Sequence, residues 1–503
     1  MPTGNIMELG TPQMLGACLA ALILWYTVSS ALAWRRLRAF NGPALASFSY
    51  LYIARTSLSG RMWEVYRDAS AKYGPVVRIG PNELITDDPE ILRRTSGARS
   101  RYTRSSWYAL NRLDPYEDSM FSLMSTSAHD KLKAKTAAAY GGKENLALEM
   151  DVDSVLTAMV DKIRAKYISK PGVLVPLDLA KMAQYFTLDS ITKIAFGEEF
   201  GFLANEKDMH GYLGIIEQVA PVMHLSAEVP ALARLMSSPL VLGLAGPKTT
   251  DKNGMGKLMG LARNIVGERF RPDAPDQRDM IGAFIRHGLN QRQCETEAIF
   301  QVVAGSDTTA TAIRATMLYI MTTPRVRDKL VREIDEAVGA GRVSKPIKSV
   351  EGERLPYLQA VIYEGMRIHP PFVGLTLKEV PPGGDMIDGK FVPGGTRIAP
   401  STWSMAHKKS IFGQDAELFR PERWTEAGED QAAEMRRTVE LIFGYGRWAC
   451  AGKPIAFLEL NKIFFELWRQ FDFQLVYPTR PWQSVNHNLF LQKEMWVSVA
   501  ERA

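Results

Sequence analysis

The sequence predicts a mainly α-helical protein with a minor β portion, preceded by one N-terminal transmembrane helix. Three observations lead to this fold class: an uncharged apolar stretch near the N-terminus, long runs of helical periodicity through the middle, and a Gly-, Pro- and Val-rich segment at 380–398 that favours short strands. The 503 residues are 46% hydrophobic and 23% charged, which is ordinary globular composition with ample material for a core.

The first element is an apolar segment, Gly10 to Trp34, that contains no charged residue. About 20 such residues span a bilayer as a helix. Three arginines follow at once, Arg35, Arg36 and Arg38, whereas the preceding segment has only Glu8. This asymmetry predicts a lumenal N-terminus and a cytosolic remainder.

The alternative for this segment is a cleaved signal peptide, because Ala31-Leu32-Ala33 resembles a cleavage site. A signal peptide has a positive leading region and a shorter apolar stretch, and residues 1–13 hold no Lys or Arg. We therefore predict a membrane anchor and basic stop over residues 1–38. No repeat or convincing linker divides the rest, so residues 39–503 are expected to form one catalytic domain.

The remaining elements follow from periodicity and from breaks at Gly and Pro. Residues 225–244 are apolar and predict either a core helix pair or a lid that dips into the membrane. The other predicted elements are a helix at 61–73, a hairpin of strands at 76–79 and 83–86, a helix from Pro89, a largely helical region at 128–288, helices at 294–321, 325–338 and 355–368, a helix from Gly452 to about Gln470, and closing strands at 471–477 and 496–499.

The cysteine content and the net charge indicate the cellular compartment and the kinds of partner. The three cysteines, Cys18, Cys294 and Cys450, cannot staple a chain of this size, which indicates a reducing, cytosol-facing compartment. The net charge of +6 suits an anionic membrane surface or an acidic protein partner. No Lys/Arg run is interleaved with aromatic residues, so we expect no nucleic-acid partner.

The most informative segment is Phe443–Gly452, where Cys450 lies in a glycine-punctuated loop before an apolar helix. A thiolate at a helix N-terminus is stabilised by the backbone N–H groups and the helix dipole. Gly446 and Gly452 would let the backbone pass close to a flat ligand. The loop suits a thiolate ligand to haem iron. The alternative is a small buried cysteine in a glycine-rich turn.

A second segment, Ala304–Thr309, breaks the local rules of a long apolar helix. Gly305 is unfavourable there by about 1 kcal/mol, and Asp307 is a poor choice inside an apolar run. Ala304, Thr308 and Ala312 share one face, which leaves room for a diatomic ligand and a planar cofactor beside one hydroxyl. The alternative is a helix bent by a back-bonding threonine, with Asp307 at the surface.

These segments together resemble the cytochrome P-450 superfamily over residues 45 to 500. The loop at Cys450 is similar to its haem-binding signature and Ala304–Thr309 to its oxygen-binding motif. Glu364 and Arg367 lie one turn apart, and Phe419–Trp424 resembles the family's second-arginine motif. The resemblance implies that Arg423 joins Glu364 and Arg367 in a buried structural triad; an exposed helical ion pair is the alternative.

The resemblance also implies a haem b site and a substrate site. His129 and Lys133 would lie on the helix that binds the haem propionates, with a solvated polar face as the alternative. Trp448 replaces the usual basic residue, so we expect Arg447 to contact a propionate and Trp448 to pack the loop. The predicted haem-binding residues are Cys450 as the iron ligand, Phe443, Gly446, Arg447, Gly452, Ala304, Gly305, His129 and Lys133; the predicted substrate contacts are Trp107, Phe300, Val303, Phe372, Leu375 and Leu489.

The implied activity is that of a haem-thiolate monooxygenase, in which Thr308 and Asp307 relay protons. Electrons would come from NADPH through cytochrome P-450 reductase, with cytochrome b5 as an alternative donor. The substrate would be a hydrophobic small molecule, and the anchor would hold the protein in endoplasmic-reticulum lipid. The extended strings around 411–424 and 141–145 resemble fungal microsomal members of the pisatin-demethylase-like and benzoate-hydroxylase-like groups, many of which act in secondary metabolism.

Two other functions fit a haem–thiolate site. One is an isomerase or dehydratase that needs neither oxygen nor a reductase, although an Asp307–Thr308 proton relay would serve no purpose in it. The other is a haem sensor or carrier without turnover. Oxygen and NADPH consumption separates the first from a monooxygenase, and any turnover excludes the second.

Overall fold

The structure is a computed structural model that describes residues 11–502, and these residues are mostly helical. The N-terminal helices are α1 (Thr11–Arg36), α2 (Ala44–Phe48), α3 (Leu51–Leu58), α4 (Met62–Tyr73), α5 (Pro89–Ser96), α6 (Ser106–Leu110), α7 (Thr126–Tyr140), α8 (Leu148–Lys166), α9 (Leu179–Phe196), α10 (Phe202–Asn205), α11 (Tyr212–Glu228), α12 (Pro230–Met236) and α13 (Pro239–Ala245). The later helices are α14 (Gly254–Arg269), α15 (Met280–Arg286), α16 (Gln291–Thr322), α17 (Pro324–Gly339), α18 (Ser349–Gly352), α19 (Pro356–Ile368), α20 (Thr402–Ala406), α21 (Lys409–Phe412), α22 (Glu422–Glu426), α23 (Glu429–Val439) and α24 (Lys453–Gln470).

Short strands form the minor β portion, as the sequence predicts. The strands are β1 (Val76–Arg78), β2 (Glu83–Thr86), β3 (Thr103–Arg104), β4 (Leu177–Asp178), β5 (Lys378–Glu379), β6 (Asp385–Ile387), β7 (Lys390–Val392), β8 (Arg397–Pro400), β9 (Phe471–Leu475), β10 (Gln483–His487), β11 (Leu489–Lys493) and β12 (Trp496–Glu501). The five-stranded sheet has the order β1-β2-β8-β5-β3, with β2 and β8 parallel, and the three-stranded sheet has the order β4-β12-β9. Two hairpins, β6–β7 and β10–β11, stand beside them.

The long helix α16 is the centre of the core. It begins at a capping box in which Asn290 and Gln293 bond each other's backbone N–H groups, and it ends before Pro324. Its sides pack on α9, α14, α19 and α24, and 21 of its 32 residues are buried. Because α16 passes between these helices, polar residues in its middle lie inside the protein rather than at the surface.

Most of the predicted elements are present with nearly the predicted bounds. The predicted helix at 294–321 is α16, and the helix predicted from Gly452 to Gln470 is α24. The strands of the predicted hairpin at 76–86 pair antiparallel as β1 and β2. The apolar stretch 225–244 is not a core helix pair, because α12 and α13 expose large side chains, among them Leu240 at 71% and Leu244 at 79%.

The N-terminal helix is the one described helix apolar and long enough to cross a membrane. The most apolar 18-residue window within Gln13–Arg36 has a mean hydropathy of 1.8, and none of that window is buried against the rest of the chain. Residues 1–10 of the predicted anchor lie outside the described residues. The division at residue 38 stays a prediction.

A buried arginine joins the end of α1 to the catalytic part of the chain. The guanidinium of Arg78, in β1, donates to the carbonyls of Ala33 at 2.9 Å and Trp34 at 3.2 Å. It also donates to the carbonyls of Ser47 and Pro81, and the residue is only 1% exposed. One side chain therefore connects the last turn of α1 to α2 and to the turn between β1 and β2.

Candidate active site

A cavity of about 380 Å³ lies between α16 and the loop before α24. Its walls come from α6, α7, α11, α16 and α24, together with residues 441–445 and 448–452. Cys450 lines the cavity, and so do Ala304 and Thr308 from α16. The two segments that the sequence singles out therefore face one space, although they are almost 150 residues apart.

The loop around Cys450 holds the thiol at the N-terminus of α24. The Cys450 N–H donates to the Phe443 carbonyl at 2.6 Å, and the Lys133 ammonium donates to the carbonyls of Arg447 and Ala449 at 2.8 and 2.7 Å. Burial raises the pKa of the Cys450 thiol, and the N–H groups of Gly452 and Lys453 act against that rise. The arrangement provides a fixed sulfur ligand whose anionic form is stabilised by a helix N-terminus.

The glycines of the motifs serve close packing between backbone segments. Gly446 has a φ of +60°, and a Cβ there would lie 2.5 Å from the Ser96 carbonyl oxygen. A Cβ on Gly305 would lie 3.0 Å from the Ile191 side chain, so Gly305 allows α9 to approach α16. Gly446 is therefore packed against protein outside the cavity walls, whereas Gly305 and Gly452, the other predicted haem-binding glycines, line the cavity.

Two buried cations that sequence reasoning missed lie at the cavity wall beside Trp448. Arg104 has its guanidinium carbon 4.4 Å from the Trp448 ring centre, and the Lys378 ammonium is 4.0 Å from the same centre. Among the described residues, Arg104 Nε, Lys378 Nζ and Trp448 Nε1 have no hydrogen-bond partner. Burial lowers the pKa of Lys378 well below its ordinary value. Three unpartnered donors in one wall make a site for an anionic group.

The structure does not place Arg447 where the sequence analysis expects it. Its guanidinium is paired with Asp130 at 3.2 Å and with the Ala98 carbonyl, and it lies outside the cavity walls. Two other residues predicted to bind the propionates, His129 and Lys133, do line the cavity. Burial lowers the pKa of His129 to about 4, so this histidine is neutral at physiological pH.

These residues fit haem b. The thiol supplies a soft ligand for iron on one side of the cavity, and the unpartnered Trp448, Arg104 and Lys378 donors supply partners for two propionates. The remaining wall is largely apolar, with Phe443 and Ala304 among its members, as the face of a porphyrin requires.

On the opposite side of the cavity, Thr308 exposes its hydroxyl while Asp307 lies behind it. Thr308 Oγ1 donates to the Ala304 carbonyl at 2.8 Å. Asp307 Oδ1 accepts from Gln184 Nε2 at 3.0 Å, and Gln184 accepts in turn from Arg314 at 2.6 Å. Burial raises the pKa of Asp307 to about 6, although Arg314 acts against that rise. Asp307 is therefore an interior acid between α9 and α16, not the surface residue of the alternative interpretation.

A second interior acid, Glu459, lines the cavity from α24. Burial raises its pKa to about 8, while its hydrogen bond with Thr309 acts against that rise. Glu459 belongs to an apolar helix nine residues after Cys450, and a charged residue on the buried face of that helix is the signal that could have identified it.

Five of the six predicted substrate contacts line the cavity: Trp107, Phe300, Val303, Phe372 and Leu489. Phe300 stacks on Phe121 with ring centres 5.5 Å apart. Leu375 does not line the cavity; it is fully buried in an apolar cluster with Val77 and Ala399. Two polar residues that the sequence analysis does not name, Asn111 and His224, also line the cavity.

The predicted triad is assembled away from the cavity. Arg367 contacts both oxygens of Glu364 at 2.8 Å, and Arg423 Nε reaches the same carboxylate at 3.0 Å. Trp424 Nε1 also donates to it at 3.0 Å. Burial opposes ionisation, but Arg367 and then Arg423 hold the pKa of Glu364 below its ordinary value. Both arginines also donate to backbone carbonyls at 412–418, so the cluster fixes that loop.

Comparison with known proteins agrees with this geometry. A model of the family described as Cytochrome P450 matches residues 42–498. The chain is 49% identical to "Cytochrome P450 monooxygenase ABA1" of Pyricularia oryzae over 97% of both chains. It is 48% identical to "Cytochrome P450 monooxygenase aba1" of Botryotinia fuckeliana over 92% of both chains, and 41% identical to "Cytochrome P450 monooxygenase abl1" of Leptosphaeria maculans over 92% of this chain and 83% of that one. The thiol at a helix N-terminus, the helix with Thr308 across the cavity and this likeness together show that the chain belongs to the cytochrome P-450 family of haem-thiolate monooxygenases.

Proposed function

We propose that this enzyme inserts one oxygen atom from dioxygen into a hydrophobic intermediate of fungal secondary metabolism. Electrons would be drawn from NADPH through cytochrome P-450 reductase, with cytochrome b5 as a second donor. The observation that carries the proposal is the juxtaposition of Cys450 and Thr308 across one largely apolar cavity. The names of the fungal relatives support the reaction class.

The residues assigned to haem binding follow from the cavity wall. Cys450 would ligate the iron, and Trp448, Arg104, Lys378 and His129 would hold the propionates. Bound in this way, haem iron with a thiolate ligand supplies oxygen activation. Lys133 would support haem binding indirectly, by holding the Cys450 loop, because its ammonium donates hydrogen bonds to two carbonyls of that loop.

Thr308 and Asp307 would supply the protons. The Thr308 hydroxyl lies at the cavity, where it can pass a proton to a ligand, and Asp307 is one position away with a pKa close to 6. A carboxyl with that pKa exchanges protons readily near neutral pH. The side chain of Gln184 orients Asp307, since its amide bonds one carboxyl oxygen and leaves the other without a partner among residues 11–502.

The cellular setting proposed is the endoplasmic-reticulum membrane, with the catalytic domain in the cytosol. Helix α1 would cross the bilayer, and the arginines that follow it would remain on the cytosolic side. The exposed apolar side chains of α12 and α13 would contact lipid on the same face, which gives a hydrophobic substrate a short path from the membrane.

The first test is the reduced, CO-bound absorption spectrum of the full-length protein. Cys450→Ala should lose the thiolate-type band and all turnover, because no other ligand of this kind lines the cavity among the described residues. Cys18→Ser is the matched control, since Cys18 is exposed on α1 and should leave both unchanged. A Cys450→Ala protein that keeps the band would refute haem–thiolate ligation.

The second test identifies the reaction and the substrate. Disruption of the gene with metabolite profiling should show an accumulating hydrophobic precursor, and the purified enzyme with reductase should convert it at the expense of NADPH and oxygen. Conversion that needs neither would favour the isomerase or dehydratase instead.

A further inference from the structure

The cavity wall formed by α6 and α11 contains a buried pair of polar side chains among apolar ones. His224 lies on α11 and Asn111 follows the end of α6, and both line the cavity. His224 Nδ1 is 2.9 Å from Asn111 Oδ1, and the two residues are 4% and 6% exposed. The pair takes no part in haem binding or in proton delivery as described above.

The hydrogen bonds of Asn111 fix the tautomer of His224. Asn111 Nδ2 donates to the Trp107 carbonyl at 2.8 Å, so the amide oxygen is the atom that faces the histidine. An amide oxygen can only accept, and His224 Nδ1 must therefore carry the proton. Burial lowers the pKa of His224 to about 3, which keeps the ring neutral. The second nitrogen, Nε2, is then a hydrogen-bond acceptor with a free lone pair.

That acceptor is unused in the protein alone. His224 Nε2 is buried and has no hydrogen-bond partner within residues 11–502. A buried acceptor without a partner is costly, so native structures rarely keep one unless a ligand or water completes it. The cavity wall is mainly apolar, with Met223, Phe300 and Leu489 among its members, and Trp107 Nε1 is one of its unpartnered donors.

We propose that His224 Nε2 accepts a hydrogen bond from an O–H group of an otherwise apolar substrate, so that the enzyme selects alcohols and un-ionised carboxylic acids over ethers and carboxylates. This inference rests on the proposed function, because it assigns the substrate class of the same cavity. An ether has no proton to donate. A carboxylate would place negative charge against the lone pair of Nε2. Asn111 is a positioning residue that keeps Nε2 in the accepting state.

The test compares matched probes on the full-length holoenzyme in lipid nanodiscs. The probes are 1-dodecanol, its methyl ether and dodecanoate, which share one alkyl chain and differ in hydrogen bonding. The dissociation constant of each is measured by the haem spin-state shift and by equilibrium dialysis, so that a silent spectrum still yields a value. The wild-type protein should bind the alcohol about 3- to 10-fold more tightly than the ether, the range expected for one neutral hydrogen bond.

Three variants separate recognition from packing. His224→Phe keeps an aromatic ring without an acceptor, and it should bring the alcohol-to-ether preference close to one while ether binding is retained. His224→Gln restores an acceptor and should recover part of the preference. Asn111→Asp places a carboxylate beside Nδ1, which favours the imidazolium and turns Nε2 into a donor. This variant should gain dodecanoate binding by about tenfold.

Each dissociation constant is referred to the free aqueous concentration of the probe measured with empty nanodiscs, so the different lipid partitioning of the probes does not enter the comparison. Equal binding of alcohol and ether by the wild-type protein, no binding of the alcohol, or an unchanged preference in His224→Phe would overturn the inference. Each of these results leaves the proposed function standing if the thiolate-type CO band is present. Loss of that band in the wild-type protein would instead overturn the proposed function.

Discussion

At the scale of single residues, the burial of Asp307 raises the pKa of its carboxyl group and lowers the stability of the fold at neutral pH. Its folded-state pKa is raised to about 6 from an ordinary 3.8, so the folded state holds a proton that the unfolded state has released. Between pH 4 and pH 6 the folded state binds more protons, and stability must fall as the pH rises through this window. The residue therefore destabilises the fold at neutral pH, where the proposed chemistry takes place.

We predict that Asp307→Asn stabilises the protein and impairs turnover. From pH 5 to pH 7 the wild-type protein should lose about 1.3 kcal/mol of stability relative to the variant, since one pKa unit corresponds to about 1.4 kcal/mol. Unfolding midpoints at the two pH values measure this difference. The variant should also divert reducing equivalents from product to peroxide. A stability difference that is constant with pH would contradict the assigned pKa.

A second residue-scale prediction concerns the propionates. Lys378→Met should accelerate transfer of haem to apomyoglobin, because a propionate beside Lys378 would favour its charged form and the resulting hydrogen bond contributes about 1.5–3 kcal/mol, while the methionine retains the volume. Arg447→Gln is the control, since Arg447 bonds Asp130 and the Ala98 carbonyl outside the cavity. Equal loss of haem from the two variants would show that Arg447 shares the role after all.

The sequence identifies the site residues that lie within short motifs. It does not identify the residues that reach the cavity from distant segments of the chain. Cys450 and Thr308 lie in strings whose composition breaks a local rule. Arg104 and Lys378 occupy adjacent two-residue strands, β3 and β5, whose pairing depends on the fold of the whole chain. No pattern around either residue points to the cavity. The histidine at 224 is hidden in the same way, because a lone histidine in an apolar helix is usually a core residue.

At the scale of elements, contact between α16 and α19 depends on a glycine. A Cβ on Gly365 would lie 2.0 Å from Thr316 Oγ1 and 2.9 Å from its Cβ, so the two helices touch there without space for a methyl group. Gly365 directly follows Glu364 in α19. The close contact between the two helices therefore also fixes the position of the buried cluster of Glu364, Arg367 and Arg423.

Gly365→Ala should destabilise the protein, although alanine favours a helix. Overpacking a core costs about 1–3 kcal/mol, which exceeds the gain in helix propensity of about 1 kcal/mol. Gly339→Ala, at the last position of α17, is the control because nothing lies within 4 Å of its Cβ position. Thermal unfolding followed by the haem absorption compares them. A Gly365→Ala protein as stable as the control would contradict the packing described here.

Long elements are predictable from sequence because their signals accumulate over many residues. The bounds of α16 follow from apolar periodicity that begins at a capping box and ends before Pro324, and α24 begins just after Gly452 with Pro454 in its first turn. The hairpin β10–β11 is absent from the sequence analysis, although Leu489 in it is among the predicted substrate contacts. Its strands contain polar residues on both faces and no Gly-containing turn, so local signals are weak; the turn residue Asn488 has a φ of +66°.

At the scale of the whole molecule, the end of α1 is connected to the rest of the chain by buried hydrogen bonds from Arg78, which we call the joint. Arg78 is buried among carbonyls, two of which belong to the end of α1. Burial lowers the pKa of Arg78, yet a guanidinium remains charged and needs those acceptors. Removal of the anchor is therefore not a neutral truncation.

We predict a difference between two truncations. Deletion of residues 1–34 should release much of the protein from membranes but lower its unfolding temperature, because it removes two acceptors of a buried cation, each worth about 1.5–3 kcal/mol. Deletion of residues 1–28 should release it equally and leave stability nearly unchanged, since Ala33 and Trp34 remain. Fractionation and thermal unfolding test both. A mature N-terminus at Trp34 in the host would show cleavage and contradict the anchor.

With α1 in a bilayer as proposed, the contact at Arg78 would couple the bilayer thickness to the orientation of the enzyme. The uncharged part of α1, residues 13–34, is about 33 Å long as a helix, close to the hydrocarbon thickness of about 30 Å, so a thinner bilayer should increase the tilt of the helix and a thicker one should reduce it. If the joint does not bend, each change in tilt turns the catalytic domain through the same angle. Linear dichroism of the haem in bilayers of increasing acyl length should then show a steady rotation, which Arg78→Gln should abolish. Lipid composition would thereby decide how steeply the cavity entrance faces the membrane.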